Sequence, residues 1–138
     1  MFSVEKLEDN IYYYTNVLDS VSEVLEYAKN NLVWSEWLAS GSDEVYGEIT
    51  GSKNPLPDQI SYLIRDNSFG WIPNFYTIQK YNVGAHMGPH TDSLDITQDK
   101  SPTISIVFYL NDNYEGGEIE FINQGIKIKP EAGSVVIF

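Results

Sequence analysis

The sequence predicts an α+β fold, with an N-terminal strand and helices packed on a C-terminal barrel or jelly roll. Three observations carry this prediction. Apolar residues recur at helical spacing in the first half of the chain. From about residue 74 the pattern changes to short strand-like runs. Gly, Pro and Asn punctuate those runs at regular intervals, as turns of an all-β layer do. The 138 residues suit one domain. Within it, 1–73 reads as a helical support region and 74–138 as the jelly-roll core.

Each element has its own justification. "NIYYYTNVL" (10–18) is rich in aromatic and β-branched residues and reads as a strand. Ser20 and Glu23 have the spacing of a capping box. The helix after them places Val21, Val24, Leu25, Ala28 and Leu32 on one face. A second short helix is expected from Pro57 to Asp66, with Ile60, Leu63 and Ile64 inward. "FYTIQKY" (75–81) alternates as a half-buried strand does. "TISIVFYLN" (103–111) is nearly all apolar or β-branched, as a central strand is. "EIEFI" (118–122), "IKIK" (126–129) and "SVVIF" (134–138) follow. Gly116-Gly117, Asn123 to Gly125 and Pro130 to Gly133 supply the turns between them.

Composition narrows the function classes. With no cysteine, disulfides, zinc–thiolate sites and cysteine nucleophiles are excluded. Eight Lys and Arg stand against 20 Asp and Glu, a net charge of -12. Phosphate backbones and anionic membranes repel such a chain, so neither nucleic acid nor membrane is expected as a partner. No apolar run approaches the roughly 20 residues of a membrane span. The N-terminus lacks the basic start and apolar run of a signal peptide. These features lead to the expectation of a cytoplasmic protein.

Chemistry concentrates in "GAHMGPHTDS" (84–93), which holds both histidines of the chain, His86 and His90. His90 and Asp92 stand at i and i+2, and alternate side chains of an extended segment share a face. An imidazole and a carboxylate so placed can meet one ion side by side. With a further histidine they make the 2-His-1-carboxylate triad of non-haem iron sites. His86 reads as a solvated loop residue. Along an extended segment it would lie roughly 13 Å from His90.

Three segments in order resemble one family. "YNVGAHMGPHTD" (81–92) resembles the Y-x-x-G-x-x-x-x-P-H-x-D segment of prolyl 4-hydroxylase-like 2-oxoglutarate/Fe(II) dioxygenases. "FYLNDNYEGGEIEF" (108–121) resembles their Y-L-N…G-G-E segment, and "IKIKPEAGSVVIF" (126–138) the P-x-x-G-x-x-x-x-F segment that follows. The resemblance implies a double-stranded β-helix, a jelly roll, flanked by N-terminal helices. It implies His90 and Asp92 as iron ligands. It also implies that Tyr81 and Tyr109 line the 2-oxoglutarate pocket. Fe(II), 2-oxoglutarate as co-substrate and O2 come with the resemblance, and ascorbate enters by the same route. Two positions depart from the family: Met87 and Ile119 replace a common tyrosine and threonine.

The implied activity is hydroxylation of an unactivated C–H bond in a peptide, protein or small-molecule substrate. 2-Oxoglutarate would be oxidised to succinate and CO2. The family's second histidine ligand, and its basic partner for 2-oxoglutarate, lie beyond a strand like "GSVVIF". The expectation is therefore a jelly-roll core lacking its last strands, with an open sheet edge that invites self-association. The competing expectation is an inactive jelly-roll binding module.

Overall fold

A computed structural model describes residues 3–19, 21–36, 45–52, 58, 62, 66–67, 69–70, 77–92 and 104–138. The described part is mostly small antiparallel sheets with one complete helix, compatible with a jelly-roll oxygenase domain. It divides into two compact units, 1–21 with 90–138 and 22–89. This differs from the sequence-based boundary at 73/74, because the first strands pair with the last ones.

In the first unit, β1 (Ser3–Glu8) and β2 (Ile11–Thr15) form a hairpin. Asn10 takes the left-handed turn position, φ 67°, which asparagine tolerates better than most residues. The aromatic run of β2 then pairs with β11 (Val135–Ile137), which pairs in turn with β8 (Ile106–Phe108). The sheet order is β1-β2-β11-β8, all antiparallel. β11 is flanked on both sides, and Val135 and Val136 are fully buried. An unbroken apolar run suits a strand covered on both faces. Ile11, Leu18 and Ile128 add to this core. A second hairpin joins β9 (Ile119–Phe121) to β10 (Ile126–Ile128) through a 3-10 turn, Ile122–Gln124. Gly125 ends that turn at φ 66°.

The turn before β11 fastens this unit. The Gly133 carbonyl accepts from the amides of Val17 and Leu18, at 3.0 and 3.1 Å. Its own N–H donates to the Tyr109 carbonyl at 2.8 Å. The Ala132 amide donates to Asp112 Oδ2, and the Glu131 amide to the Tyr13 hydroxyl, each at 3.0 Å. Three stretches of chain, 13–18, 109–112 and 131–133, thus meet at one turn.

The second unit contains nearly all of helix α1 (Val21–Asn31). Ala28 is its buried residue; Glu23 near the start and Lys29 near the end suit the helix dipole. Ser20, the expected cap, lies outside the described residues. Strands β3 (Trp34–Glu36), β5 (Ile49–Ser52) and β6 (Gln79–Tyr81) form one sheet in the order β3-β5-β6. β4 (Val45–Tyr46) pairs with β7 (His86–Met87). Gly47 allows this ribbon to close: a Cβ there would stand 2.8 Å from the Ala85 Cα.

The N-terminal region is therefore richer in strands than the helical support region expected from sequence. β1, β3, β4 and β5 were not legible as strands, because they are short or charged and are held by pairing. The helix expected over 57–66 lies mostly outside the described residues; within it Asp58, Tyr62 and Asp66 are helical. The first part of the strand expected over 75–81 and the loop 93–100 also lie outside them.

Candidate metal centre

His90 and Asp92 belong to the first unit and have no regular secondary structure. Their side chains meet: His90 Nε2 and Asp92 Oδ1 are 3.0 Å apart. The other carboxylate oxygen, Oδ2, accepts a hydrogen bond of 2.7 Å from the Ser105 hydroxyl. Ser105 is itself fixed by the sheet. Its N–H and C=O both bond to Phe138, at 2.8 and 3.1 Å, one step before β8. The carboxylate is thus anchored to the β8–β11 ladder and not only to its own loop. The imidazole and carboxylate side chains are 27% and 38% exposed, so an ion or solvent can reach them.

An imidazole nitrogen and a carboxylate oxygen on one side of a short segment are a suitable donor pair for divalent iron. They hydrogen-bond to each other, a contact that an ion held between them would replace. Among the described residues no group of three or more His, Asp or Glu gathers as a metal cluster. The residues present therefore fit the metal through two donors.

The remaining candidates fall as follows. Tyr109 directly follows β8, and strand alternation puts its side chain on the same sheet face as Ser105. It is half-buried, with its N–H donating to the Ser134 carbonyl at 3.0 Å. Tyr81 ends β6 in the second unit. It is 46% exposed, and its hydroxyl donates to Gln79 Oε1 at 3.2 Å. His86 is not a loop residue. It sits on β7 opposite Tyr46, with the rings stacked 4.7 Å apart. Cross-strand stacking of this kind accounts for it without a metal.

Sequence reasoning missed Ser105. Its signal was a small hydroxyl inside the apolar run 104–108, on the face that alternation assigns to Val107 and Tyr109. Gly116-Gly117 was read as a plain hairpin turn. The structure gives it a further constraint. A Cβ on Gly117 would lie 2.7 Å from the Tyr114 ring, and Lys129 Nζ sits 4.3 Å from that ring's centroid. Lys129 also donates to the carbonyls of Tyr114 and Gly116.

Residues 76–138 match the family model of the 2OG-Fe(II) oxygenase superfamily. The matched segment holds His90, Asp92, Ser105, Tyr81 and Tyr109, and covers slightly under half of the chain. No curated protein and no solved structure matches the chain. Among the described residues no helix is long and apolar enough to cross a membrane. The superfamily match supports a 2-oxoglutarate/Fe(II) oxygenase in general terms, with Fe(II), 2-oxoglutarate and O2 as the reactants that superfamily uses.

Proposed function

We propose that this chain carries the iron-binding part of a 2-oxoglutarate- and Fe(II)-dependent hydroxylase, prolyl 4-hydroxylase-like in kind. Its substrate would be a peptide or amino acid with an unactivated C–H bond. The observation behind the reading is the His90–Asp92 pair, buttressed by Ser105 inside the matched segment. His90 and Asp92 would hold Fe(II), which would supply the O2 activation that 2-oxoglutarate-dependent hydroxylation needs.

The chain's own residues have definite tasks. His90 offers a neutral nitrogen and Asp92 an anionic oxygen. Ser105 holds the second carboxylate oxygen, which limits rotation of Asp92 and keeps Oδ1 facing His90. Hydrogen-bonding partners of ligands commonly matter nearly as much as the ligands. Tyr109, on the Ser105 face of the sheet, would contribute to the 2-oxoglutarate pocket, as the resemblance implies. Tyr81 stands at the tyrosine position of the motif that the resemblance rests on.

Two measurements test this. Anaerobic equilibrium dialysis with Fe(II) should show binding that H90A and D92A abolish. Ser105→Ala should weaken it by roughly tenfold to a hundredfold, the usual effect of losing such a partner. Succinate formation from 2-oxoglutarate should then follow iron occupancy. Iron binding that survives D92A would refute the assignment. Binding without any succinate would favour the binding-module reading.

A further inference from the structure

Two half-buried rings meet close to the candidate centre. Phe121, the last residue of β9, and Phe138 pack edge to face, with centroids 5.0 Å apart and planes at 73°. This is a favoured aromatic geometry. β9 belongs to the second hairpin, whereas Phe138 directly follows β11, so the contact joins two sheets of the first unit.

Phe138 leads from there to the Asp92 carboxylate. Its N–H and C=O both bond to Ser105, at 3.1 and 2.8 Å. Residues that exchange both bonds across an antiparallel pair stand directly opposite, with side chains on one face. The Phe138 ring therefore rises from the same face as the Ser105 hydroxyl, which donates to Asp92 Oδ2 at 2.7 Å. The Ser105–Phe138 rung lies just outside the regular strands β8 and β11. Such rungs open locally at less cost than those within a ladder, so a side-chain contact there has more to hold. Core packing is the plainer account of Phe121. Yet both rings are only half-buried, unlike the core residues Ile11, Leu18, Ile128, Val135 and Val136 of this unit.

We propose that Phe121 is a positioning residue for Asp92. It steadies the Phe138 ring, which keeps the Phe138–Ser105 rung closed and the Ser105 hydroxyl aimed at Asp92 Oδ2. Oδ1 is thereby left facing His90 Nε2, 3.0 Å away. Phe121 acts through Phe138 and Ser105, and not on an ion or co-substrate. The consequence for iron rests on the metal reading above; the clamp itself does not. Its size is bounded. Losing an edge-to-face pair shifts an equilibrium by about twofold to tenfold beyond the effect of burial. That does not exceed the roughly tenfold to hundredfold expected of S105A, which removes the hydroxyl itself.

The test uses the full chain. Without metal, the Ser105 and Phe138 amides of Phe121→Ala should exchange about twofold to tenfold faster than in the parent. The Val107 amide, opposite Val136 within the same ladder, should not change and reports an intact sheet. Equilibrium dialysis should show Fe(II) binding weakened by a similar factor. Phe121→Leu keeps apolar volume without the ring, and should fall between parent and F121A in both readouts. Two controls separate positioning from general loosening. Ile128→Ala truncates a buried residue of the same hairpin, opposite Ile119, and should lower Tm without weakening iron binding. In an S105A background F121A should add no further loss, because the route is already cut. Equal weakening by I128A, the same F121A factor with and without Ser105, or unchanged exchange at Ser105 in both Phe121 variants would overturn the proposal. A parent chain that binds no Fe(II) would refute the metal reading, and the metal-free exchange at Ser105 and Phe138 would still decide the clamp.

Discussion

Gly133 has a left-handed φ of 84° and no room for a side chain: an added Cβ would meet the Leu18 carbonyl oxygen at 3.0 Å and Val21 Cγ2 at 3.1 Å. Two independent costs therefore fall on Gly133→Ala, backbone strain and crowding against main chain. Urea denaturation should show it less stable by about 1–3 kcal/mol. Gly125, also at positive φ but with open space around it, pays only the backbone cost, and G125A should be the milder change in the same assay. The contrast at the candidate metal centre is similar in kind. His90 and Asp92 were legible in the sequence because two residues of separation decide whether they meet. Ser105 was not, since its bond to Asp92 depends on where the next ladder places it.

Between the residue and the whole fold, the Tyr114–Gly117 stretch behaves as a unit pinned by Lys129. Burial raises the Tyr114 hydroxyl above the usual phenol pKa, with Asp112, Glu118 and Tyr13 adding to the effect. The folded state thus holds this proton more tightly than the unfolded chain. Its contribution to stability is complete below the ordinary phenol value of about 10 and is lost as pH rises through the higher folded value. Denaturation midpoints should fall above that pH, and Tyr114→Phe should remove part of the fall. A midpoint that falls equally in both proteins would exclude Tyr114 as a source. Elements were legible to different degrees for a physical reason. "SVVIF" announces β11 because a strand buried on both faces needs little besides apolar residues. "SVEKLE" conceals β1 because an edge strand keeps charges, and its strand form comes from pairing with β2. The double-stranded β-helix implied by resemblance goes further than the small sheets described.

Across the molecule, the charge of -12 acts against compactness. Raising NaCl from low to physiological strength should raise Tm, since screening at about 8–10 Å weakens repulsion between surface carboxylates. A Tm that falls with salt would mean that favourable ion pairs such as Lys6–Asp9 outweigh the repulsion. The pairing of β2 with β11, Tyr12 opposite Ile137, has a consequence in time. A ribosome releases β2 long before β11 exists. The β1–β2 hairpin must therefore wait, with three tyrosines on its second strand and no sheet to receive them. Contacts so far apart in sequence make for slow folding, and nascent chains in this state are open to wrong pairings. Refolding of the purified chain should accordingly be slower than that of helical domains of equal length, and the amides of β2 should gain protection together with those of β11.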